Sequence, residues 1–479
     1  MGNLLLTLDV GTSSCKAAAI DLEGSKVDEK ATPYPTKYPH PGYAEQDAED
    51  WIRASSNSLK KVCTALGDAR LDIAGLTVSA HGPTLVLMDK EGRSMKPCHT
   101  WQDFRCIEQG ERLIREQQNK NWIGLGGTRC GMAAKLLWAK ENWPEAFERS
   151  KTVCGVKEFM IHWLTGEIAS EPSSGPESRI EPEDVFTYIG LPLEKLPKVY
   201  SSLHHAGNVR PSLAEELNLP PDLPVYMGLN DGASSTLGAG AYEAGHACIS
   251  LGTNGVGRLV LDKPFDAELG NAMNAFFWPY IPERWVVGGM TITGGSCLSW
   301  VRESMGSPEY ERIIDLAEQS PAGSNGLYFL PFLNGRGTPN QNEAARAAFV
   351  NMNIAHSQGD LVRAVMEGVA FSIREIYDAL QGVGFGVNDI RITGGGAQTA
   401  LWRKIVCNVM NRNMVLAGGD ATLGGAILTT VASGLYADFA EAVSRMVKYI
   451  ETEKPDQDAV AAYEEHYRTY KTFIEKLGY

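Results

Sequence analysis

The sequence has no hydrophobic run that approaches the roughly 20 residues needed to span a bilayer. No basic segment precedes its apolar start, so we expect neither a membrane span nor a signal peptide. Positive charge is also scarce: 44 Lys and Arg residues face 58 Asp and Glu residues, for a formal net charge of -14. Such a surface repels nucleic acids and anionic membranes, so neither is an expected partner.

Disulfide frameworks and several enzyme signatures are missing as well. The 9 cysteines are odd in number and form no CxxC pair, which is typical of reduced thiols in the cytoplasm. The P-loop pattern GxxxxGK[ST], the zinc motif HExxH and the serine motif GxSxG do not occur. A glycine-rich stretch at 124–131 has the wrong spacing for GxGxxG and is predicted to be a loop.

The chain is long enough for two large domains, because it has 479 residues. Its hydrophobic fraction of 43% is enough to form their cores. Apolar strands alternate with helical segments, which indicates α/β architecture with sheets covered by helices. The pattern LTLDVGTSS (5–13) returns as CISLGTNG (248–255): strand, Gly-Thr turn, second strand. This repeat predicts two domains that each present a phosphate-facing hairpin to a cleft, with a boundary near 243–247. Two unrelated β-turns are the alternative.

The two turns of this repeat are the candidate phosphate sites. Gly11 and Gly252 allow the backbone to approach phosphate closely. The amides and hydroxyls of Thr12, Ser13 and Thr253 can donate hydrogen bonds to phosphate oxygens.

Two neighbouring features complete a nucleotide site. Asp9 ends the strand before the first turn and is a candidate Mg²⁺ ligand, because Mg²⁺ needs only one or two carboxylates besides phosphate and water. Its alternative role is to cap the turn. Gly395, Gly396 and Ala397 lie between a strand and a helix, where bare backbone can seat a base or ribose. A flexible entry to the helix is the alternative there.

Asp231 is the candidate catalytic base. It follows an apolar strand and precedes a helix predicted over 233–242, at the strand end where α/β sheets place ligand chemistry. As a base it would orient the attacking hydroxyl and accept its proton. The alternative role is the N-cap of that helix.

The candidate sugar contacts are His81 and the three residues Trp101, Asp103 and Arg105. An indole packs on the apolar face of a sugar, while a carboxylate and a guanidinium hold hydroxyls or an acid group. Residues of these types also serve in interfaces and cores, which is the alternative.

The order of these motifs along the chain resembles that of the FGGY family of carbohydrate kinases, over essentially the full length. The motifs that carry the resemblance are DVGTSSCK (9–16), WQDFR (101–105), AKLLW (134–138), LTGE (164–167), GLNDGA (228–233), SLGTNG (250–255), TGGS (293–296), LPFLNGRGTP (330–339), RAVMEGVAF (363–371) and TGGGA (393–397).

The resemblance implies two actin-like ATPase (ribonuclease H-like) domains flanking a cleft. Residues 1–244 would hold the sugar side, the first phosphate hairpin and Asp231 as the base; residues 245–479 would hold the second hairpin and the adenosine site, to which Asn408 is added. It implies ATP and Mg²⁺ as cosubstrates, with Asp9 at the metal, and transfer of the γ-phosphate to a sugar hydroxyl. A homodimer is a further expectation from the resemblance.

Two departures from the family pattern both concern the sugar side. Pro83 stands at the position usual for a sugar-binding His, two residues after His81, and a Glu-Pro-Ser-Ser run at 171–174 replaces Asp-Pro-Ser-Asn. The resemblance therefore supports the reaction type better than the substrate.

The short chain and the block at 101–105 suit pentulose kinases, so we expect a ketopentose such as xylulose; the segments at 155–166 and 284–295 resemble gluconokinase-like members, which makes gluconate the alternative. A non-catalytic sugar sensor on the same scaffold and an actin- or chaperone-type ATPase are the alternatives from other classes.

Overall fold

The computed structural model describes residues 2–120, 130–174 and 182–479. Residues 124–129 of the predicted glycine-rich loop lie outside these ranges. The strands of the first half are β1 (Leu4–Val10), β2 (Ser14–Asp21), β3 (Lys26–Pro33), β4 (Glu45–Gln46), β5 (Ile73–Ala80), β6 (Val86–Met88), β7 (Cys98–His99), β8 (Thr152–Cys154), β9 (Ala169–Ser170), β10 (Lys198–Val199), β11 (His205–Asn208) and β12 (Pro224–Tyr226). Its helices are α1 (Ala48–Leu66), α2 (Ile107–Lys120), α3 (Met132–Asn142), α4 (Pro144–Arg149), α5 (Val156–Thr165), α6 (Pro182–Ile189), α7 (Pro211–Leu217) and α8 (Asp231–Gly238).

The second half continues the alternation of strands and helices. Its strands are β13 (His246–Leu251), β14 (Gly255–Leu261), β15 (Phe276–Pro279), β16 (Trp285–Thr291), β17 (Tyr328–Leu330), β18 (Ala348–Val350), β19 (Asp389–Thr393), β20 (Met414–Ala417) and β21 (Tyr449–Glu453). Its helices are α9 (Ala267–Ala272), α10 (Gly295–Ser304), α11 (Tyr310–Glu318), α12 (Gln358–Gly382), α13 (Ala400–Met410), α14 (Ala421–Ala432), α15 (Phe439–Met446) and α16 (Gln457–Lys476).

Each half is built on one large sheet. In both sheets a central strand has one antiparallel and one parallel neighbour. The first has 6 strands in the order β11-β12-β5-β1-β2-β3, and the second has 7 in the order β15-β16-β14-β13-β19-β20-β21. In the first, β1 lies antiparallel to β2 and parallel to β5. In the second, β13 lies antiparallel to β14 and parallel to β19. The repeat seen in the sequence is therefore a structural repeat, and the predicted α/β class is confirmed.

Both faces of β1 are buried, which explains its nearly continuous run of apolar residues. Leu6 and Leu8 pack in a cluster with Trp51 of α1, whereas Leu5 packs on the opposite face with Leu423 of α14. The strand is thus covered by a helix on each side. One of those two helices comes from the second half of the chain.

Helices α8 and α14 cross in direct backbone contact and join the two halves. A Cβ atom on Gly424 would lie 1.8 Å from the Ser234 carbonyl oxygen, and one on Gly238 would lie 2.0 Å from the Asp420 carbonyl oxygen. Glycine is therefore required at this crossing. Helix α14 also packs against β1 and β5. In the described ranges, no helix is both long and apolar enough to cross a membrane.

Candidate active site

The turn of the first hairpin has its carbonyl oxygens occupied by the protein. The Tyr34 hydroxyl donates to the Gly11 carbonyl, and Gln46 Nε2 donates to the Thr12 carbonyl at 2.7 Å. The Tyr34 amide donates to the Ser13 carbonyl at 3.1 Å. With these acceptors taken, the turn can offer an anionic ligand its N–H and hydroxyl donors.

The turn of the second hairpin is built in the same way. The Gly252 amide donates to the Asn254 carbonyl at 3.0 Å, as the Gly11 amide of the first hairpin donates within its own turn. The carbonyls of Gly252 and Thr253 accept from the amides of Gly295 (2.7 Å) and Gly294 (2.8 Å). Both hairpins thus present the same chemistry, as the repeat in the sequence predicts.

Asp9 lies at the end of β1, and its Oδ1 accepts a hydrogen bond from Ser79 Oγ at 2.6 Å. Burial raises its pKa to about 7; the Ser79 hydrogen bond opposes this, and the nearby carboxylates of Asp231 and Asp420 reinforce it. A cation would stabilise the ionised form of such a group. The described residues hold no cluster of three or more His, Cys, Asp or Glu side chains suited to a metal. A Mg²⁺ ion fits this setting, because it can take its other ligands from phosphate and water.

Asp231 is the first residue of α8, and a different residue caps the helix. The cap is Asn230, whose Oδ1 accepts from the Ala233 amide at 2.8 Å. The helix begins two residues before its predicted start and ends at Gly238, and the alternative role of Asp231 as the cap is wrong. Asp231 Oδ1 accepts from the Gly232 amide at 2.7 Å. Burial raises the pKa of Asp231, and the Gly232 amide and Arg258 oppose that rise.

A buried polar network holds the residue that precedes Asp231. The Asn230 amide donates to Ser173 Oγ at 2.9 Å, and Ser173 Oγ donates to Glu171 Oε1 at 2.6 Å. Glu171 in turn pairs with Lys157, and both side chains are buried. The variant run at 171–174 therefore supports the segment that leads into Asp231. Sequence reasoning missed this role, although the two departures at 171 and 174 signalled a local change.

Trp101 joins the predicted sugar block to the first phosphate hairpin, because its Nε1 donates to Thr12 Oγ1 at 2.9 Å. Asp103 and Arg105 are bound to each other at 2.7 Å, and both are almost completely buried. The Arg105 guanidinium also lies 3.8 Å from the centre of the Tyr43 ring. Trp101 thus lies at the first hairpin turn. Asp103 and Arg105 bind each other and stabilise the loop that carries Trp101.

His81 is buried with its ring edge against Trp51, at 5.9 Å between ring centres. Its Nδ1 lies 3.2 Å from Thr84 Oγ1, and its Nε2 has no hydrogen-bond partner among the described residues. Burial lowers the pKa of His81 to about 3, reinforced by Lys135, so the ring is neutral. The Pro83 carbonyl accepts from Lys135 Nζ at 2.8 Å, which fixes the loop that departs from the family pattern.

The residues predicted for the adenosine site do not all lie together. Gly396 and Ala397 form a short turn between β19 and α13, with Gly395 before it. Asn408 lies eight residues after the start of α13, roughly 12 Å further along the helix axis. Its Oδ1 accepts from the Asp456 amide at 2.8 Å.

Comparison with known proteins gives two family matches that together span most of the chain. Residues 4–238 match the N-terminal domain of the FGGY family of carbohydrate kinases, and residues 247–433 match its C-terminal domain. The chain belongs to the FGGY family of carbohydrate kinases. As an FGGY chain it is a sugar phosphotransferase, and the recognition made from the motif order is confirmed.

Individual relatives of this FGGY chain agree along its whole length. It is 28% identical over 487 residues to a xylulose kinase from Staphylococcus epidermidis, covering 99% of this chain and 97% of the relative. It is 26% identical over 487 residues to a gluconokinase from Bacillus subtilis, covering 97% and 94%. The crystal structure of a xyloylose kinase from Brucella ovis superposes with a TM-score of 0.91 at 28% identity, covering 99% of both chains. The predicted actin-like two-domain fold is confirmed.

Proposed function

We propose that this FGGY kinase transfers the γ-phosphate of ATP to a hydroxyl of a ketopentose such as xylulose. The observation that carries the proposal is the position of Asp231. Asn230 caps α8 in its place, and the Asp231 carboxylate is near enough to Asp9 to raise the pKa of that group. The relatives named xylulose kinase support the substrate class. In this proposal residues 1–244 provide the sugar side and the base, and residues 245–479 provide the second hairpin and the adenosine site.

The reaction needs positioning and charge neutralisation more than covalent chemistry by the protein. Asp231 orients the sugar hydroxyl and takes its proton while the hydroxyl oxygen bonds to the γ-phosphorus and the bond to ADP breaks. The donors of the two turns, at 11–13 and 252–253, hold the phosphates, and closure of the cleft excludes water. Asp9 would hold a Mg²⁺ ion, which when bound would neutralise charge on the phosphate oxygens.

The variant Asp231→Asn tests the role of the base. We expect kcat to fall at least ~10²-fold with ATP affinity nearly intact, because the amide cannot accept the proton. Turnover is measured by coupled ADP release and ATP affinity by titration. Asp68→Asn is the matched control, since the Asp68 side chain is fully exposed. Near-normal turnover of Asp231→Asn would contradict the assignment.

Gluconate is the second candidate substrate, favoured by the gluconokinase relative from Bacillus subtilis. A screen of ADP release across pentuloses, hexuloses, polyols and aldonic acids separates the two, and the larger kcat/KM identifies the substrate. ATP hydrolysis that no sugar stimulates would contradict the kinase proposal altogether and favour an actin- or chaperone-type ATPase. No nucleotide turnover with sugar binding retained would favour the sensor.

We also propose a cytoplasmic location and a homodimeric state. None of the nine cysteines, all of which lie in the described ranges, forms a disulfide bond, which supports a reducing compartment. The dimer rests on the family resemblance and is checked by light scattering of the purified protein.

A further inference from the structure

Arg258 lies on β14 and faces the first half of the molecule. Its neighbour Leu259 packs on the opposite face, in the cluster that contains residues of α12. Val260, which shares the face of Arg258, packs in the cluster that contains Leu237 of α8. Since side chains alternate along a strand, Arg258 is directed toward α8 and the cleft.

The guanidinium of Arg258 is held in place beside the catalytic base. Its NH1 donates to Ser250 Oγ at 3.2 Å, and Ser250 Oγ lies 3.2 Å from Thr393 Oγ1. A Cβ atom on Gly232 would lie 3.2 Å from Arg258 NH2 and 3.5 Å from Nε. The planar end of the side chain therefore lies against the start of α8, next to Asp231.

Arg258 forms no ion pair with the described residues, although its charge acts on Asp231 and lowers the pKa of that carboxyl. Among the described residues the guanidinium has a neutral hydroxyl, Ser250 Oγ, as its hydrogen-bond acceptor, and its buried Nε has none. Two other arginines near the interior are paired with acids: Arg336 with Glu375 at 2.7 Å, and Arg403 with Glu451. At the start of α8 the one carboxylate is that of Asp231, and the helix N-terminus itself adds partial positive charge. A partly buried cation in this position is stabilised by an anion that enters the cleft.

We propose that Arg258 is a further catalytic residue, which binds the γ-phosphoryl group as it passes from ADP to the sugar hydroxyl held by Asp231. This rests on the proposed kinase function. The residue belongs to the same hairpin as the predicted phosphate turn at 252–254, so one rigid unit would contact the phosphates at both places. The forked guanidinium matches the geometry of phosphate oxygens. It donates hydrogen bonds and neutralises charge in the transition state, and it transfers no proton.

The test replaces Arg258 by Gln in the full-length enzyme. We expect kcat to fall about 10²- to 10³-fold, with the KM of the sugar nearly unchanged, because charge stabilisation in the transition state is lost. Affinity for ATP should weaken while affinity for ADP, which lacks the γ-phosphate, stays the same. Arg258→Lys should recover only part of the rate, and guanidinium ion added to Arg258→Ala should raise its turnover.

Arg391→Gln is the matched control. Arg391 on β19 and Arg258 on β14 both pair with Cys248, so the two arginines lie in one row on the same sheet. The NH2 of Arg391 lies 3.4 Å from His246 Nε2, and Arg391 is not among the groups that shift the pKa of Asp231. We expect its turnover to stay within about threefold of wild type. Thermal unfolding of each variant checks that the fold is retained, and Arg258→Lys keeps the test decisive should the Gln variant not fold.

Three outcomes would overturn the role of Arg258: wild-type turnover in Arg258→Gln, equal weakening of ATP and ADP binding, or a rise confined to the KM of acidic sugars. The last would assign Arg258 to a substrate carboxylate. Failure of the proposed kinase function would give a different result. In that case the wild-type enzyme itself would release ADP without stimulation by any sugar.

Discussion

At the scale of single residues, the buried ion pair of Lys157 and Glu171 connects stability with catalysis. Both side chains are almost completely removed from solvent, and Glu171 reaches Asn230 through Ser173. A pair of this kind adds little stability over an apolar pair, but loss of one partner leaves an uncompensated charge in the interior. The pair therefore keeps the strand end before Asp231 in one conformation.

Substitution of Glu171 by Gln should lower the free energy of unfolding by about 3 kcal/mol, because Lys157 is left buried without a counter-charge. The kcat should fall as well, since Asn230 loses its support. Urea unfolding and ADP release measure the two effects. Glu145→Gln is the control: its partner is Arg149, both side chains are exposed, and the change should stay within about 0.5 kcal/mol. Equal changes in the two variants would rule out a special role for the buried pair.

On the nucleotide side the sequence predicts the two turns themselves, because residues such as Gly11 and Gly252 act through their own backbone; the matching turns are present, and their binding of phosphate stays a prediction. The sugar side was harder to predict. Asp103 and Arg105 have the chemistry of sugar ligands, yet they bind each other, and Arg105 is further held by Glu45 and Tyr43. Those contacts come from a segment about 60 residues away and depend on tertiary packing.

At the scale of elements, most strands and long helices follow from hydrophobic pattern and glycine turns. The strand expected before Gly395 is β19 (Asp389–Thr393), and a glycine run ends it. The start of α8 was predicted two residues late. Asn and Asp cap helices equally well, and Asn230 is selected here by its hydrogen bonds to Ser173. Local sequence cannot show that choice.

The crossing of α8 and α14 gives a prediction for an element contact. Gly424→Ala should destabilise the protein by at least about 1–3 kcal/mol, because the added methyl group would overlap the Ser234 carbonyl and force the helices apart. Thermal unfolding measures the change. Gly382→Ala, at the end of α12, is the control because nothing lies within 4 Å of the added atom. A Gly424→Ala variant as stable as Gly382→Ala would mean that α8 and α14 can separate enough to accept the methyl group without loss of stability.

At the scale of the whole molecule, buried neutral histidines set the response to acid. Burial lowers the pKa of His81 and of His99 to about 3, and that of His246 to about 4; nearby cations reinforce the shift in each case. An unfolded chain binds a proton at each of these rings near pH 6.5. Stability is therefore complete above about pH 6.5 and is lost progressively as the pH falls toward the folded values.

His99 gives the clearest measurement, since it is fully buried and neither ring nitrogen has a partner among the described residues. At pH 4.5 its protonation in the unfolded state costs about 2–3 kcal/mol. We expect His99→Phe to remove that loss, so that the variant gains stability relative to wild type between pH 7 and 4.5. Urea unfolding at both pH values measures the gain. His40→Phe, at an exposed position, should keep the wild-type pH dependence, and so would His99→Phe if this account were wrong.

Helix α8 is short, and its two ends differ in what they contact. Asp231 begins it, and Gly238 ends it at the contact with α14. The contact with α14 runs from Ser234 to Gly238, so Asp231 lies about 5 Å beyond the crossing. A rotation of about 10° of the helix about that contact would move the carboxylate by about 1 Å, which is enough to change its alignment with a bound hydroxyl. The angle between the halves would thus decide when Asp231 is aligned for transfer. An open enzyme, in which Asp231 is out of line, would not hydrolyse its bound ATP.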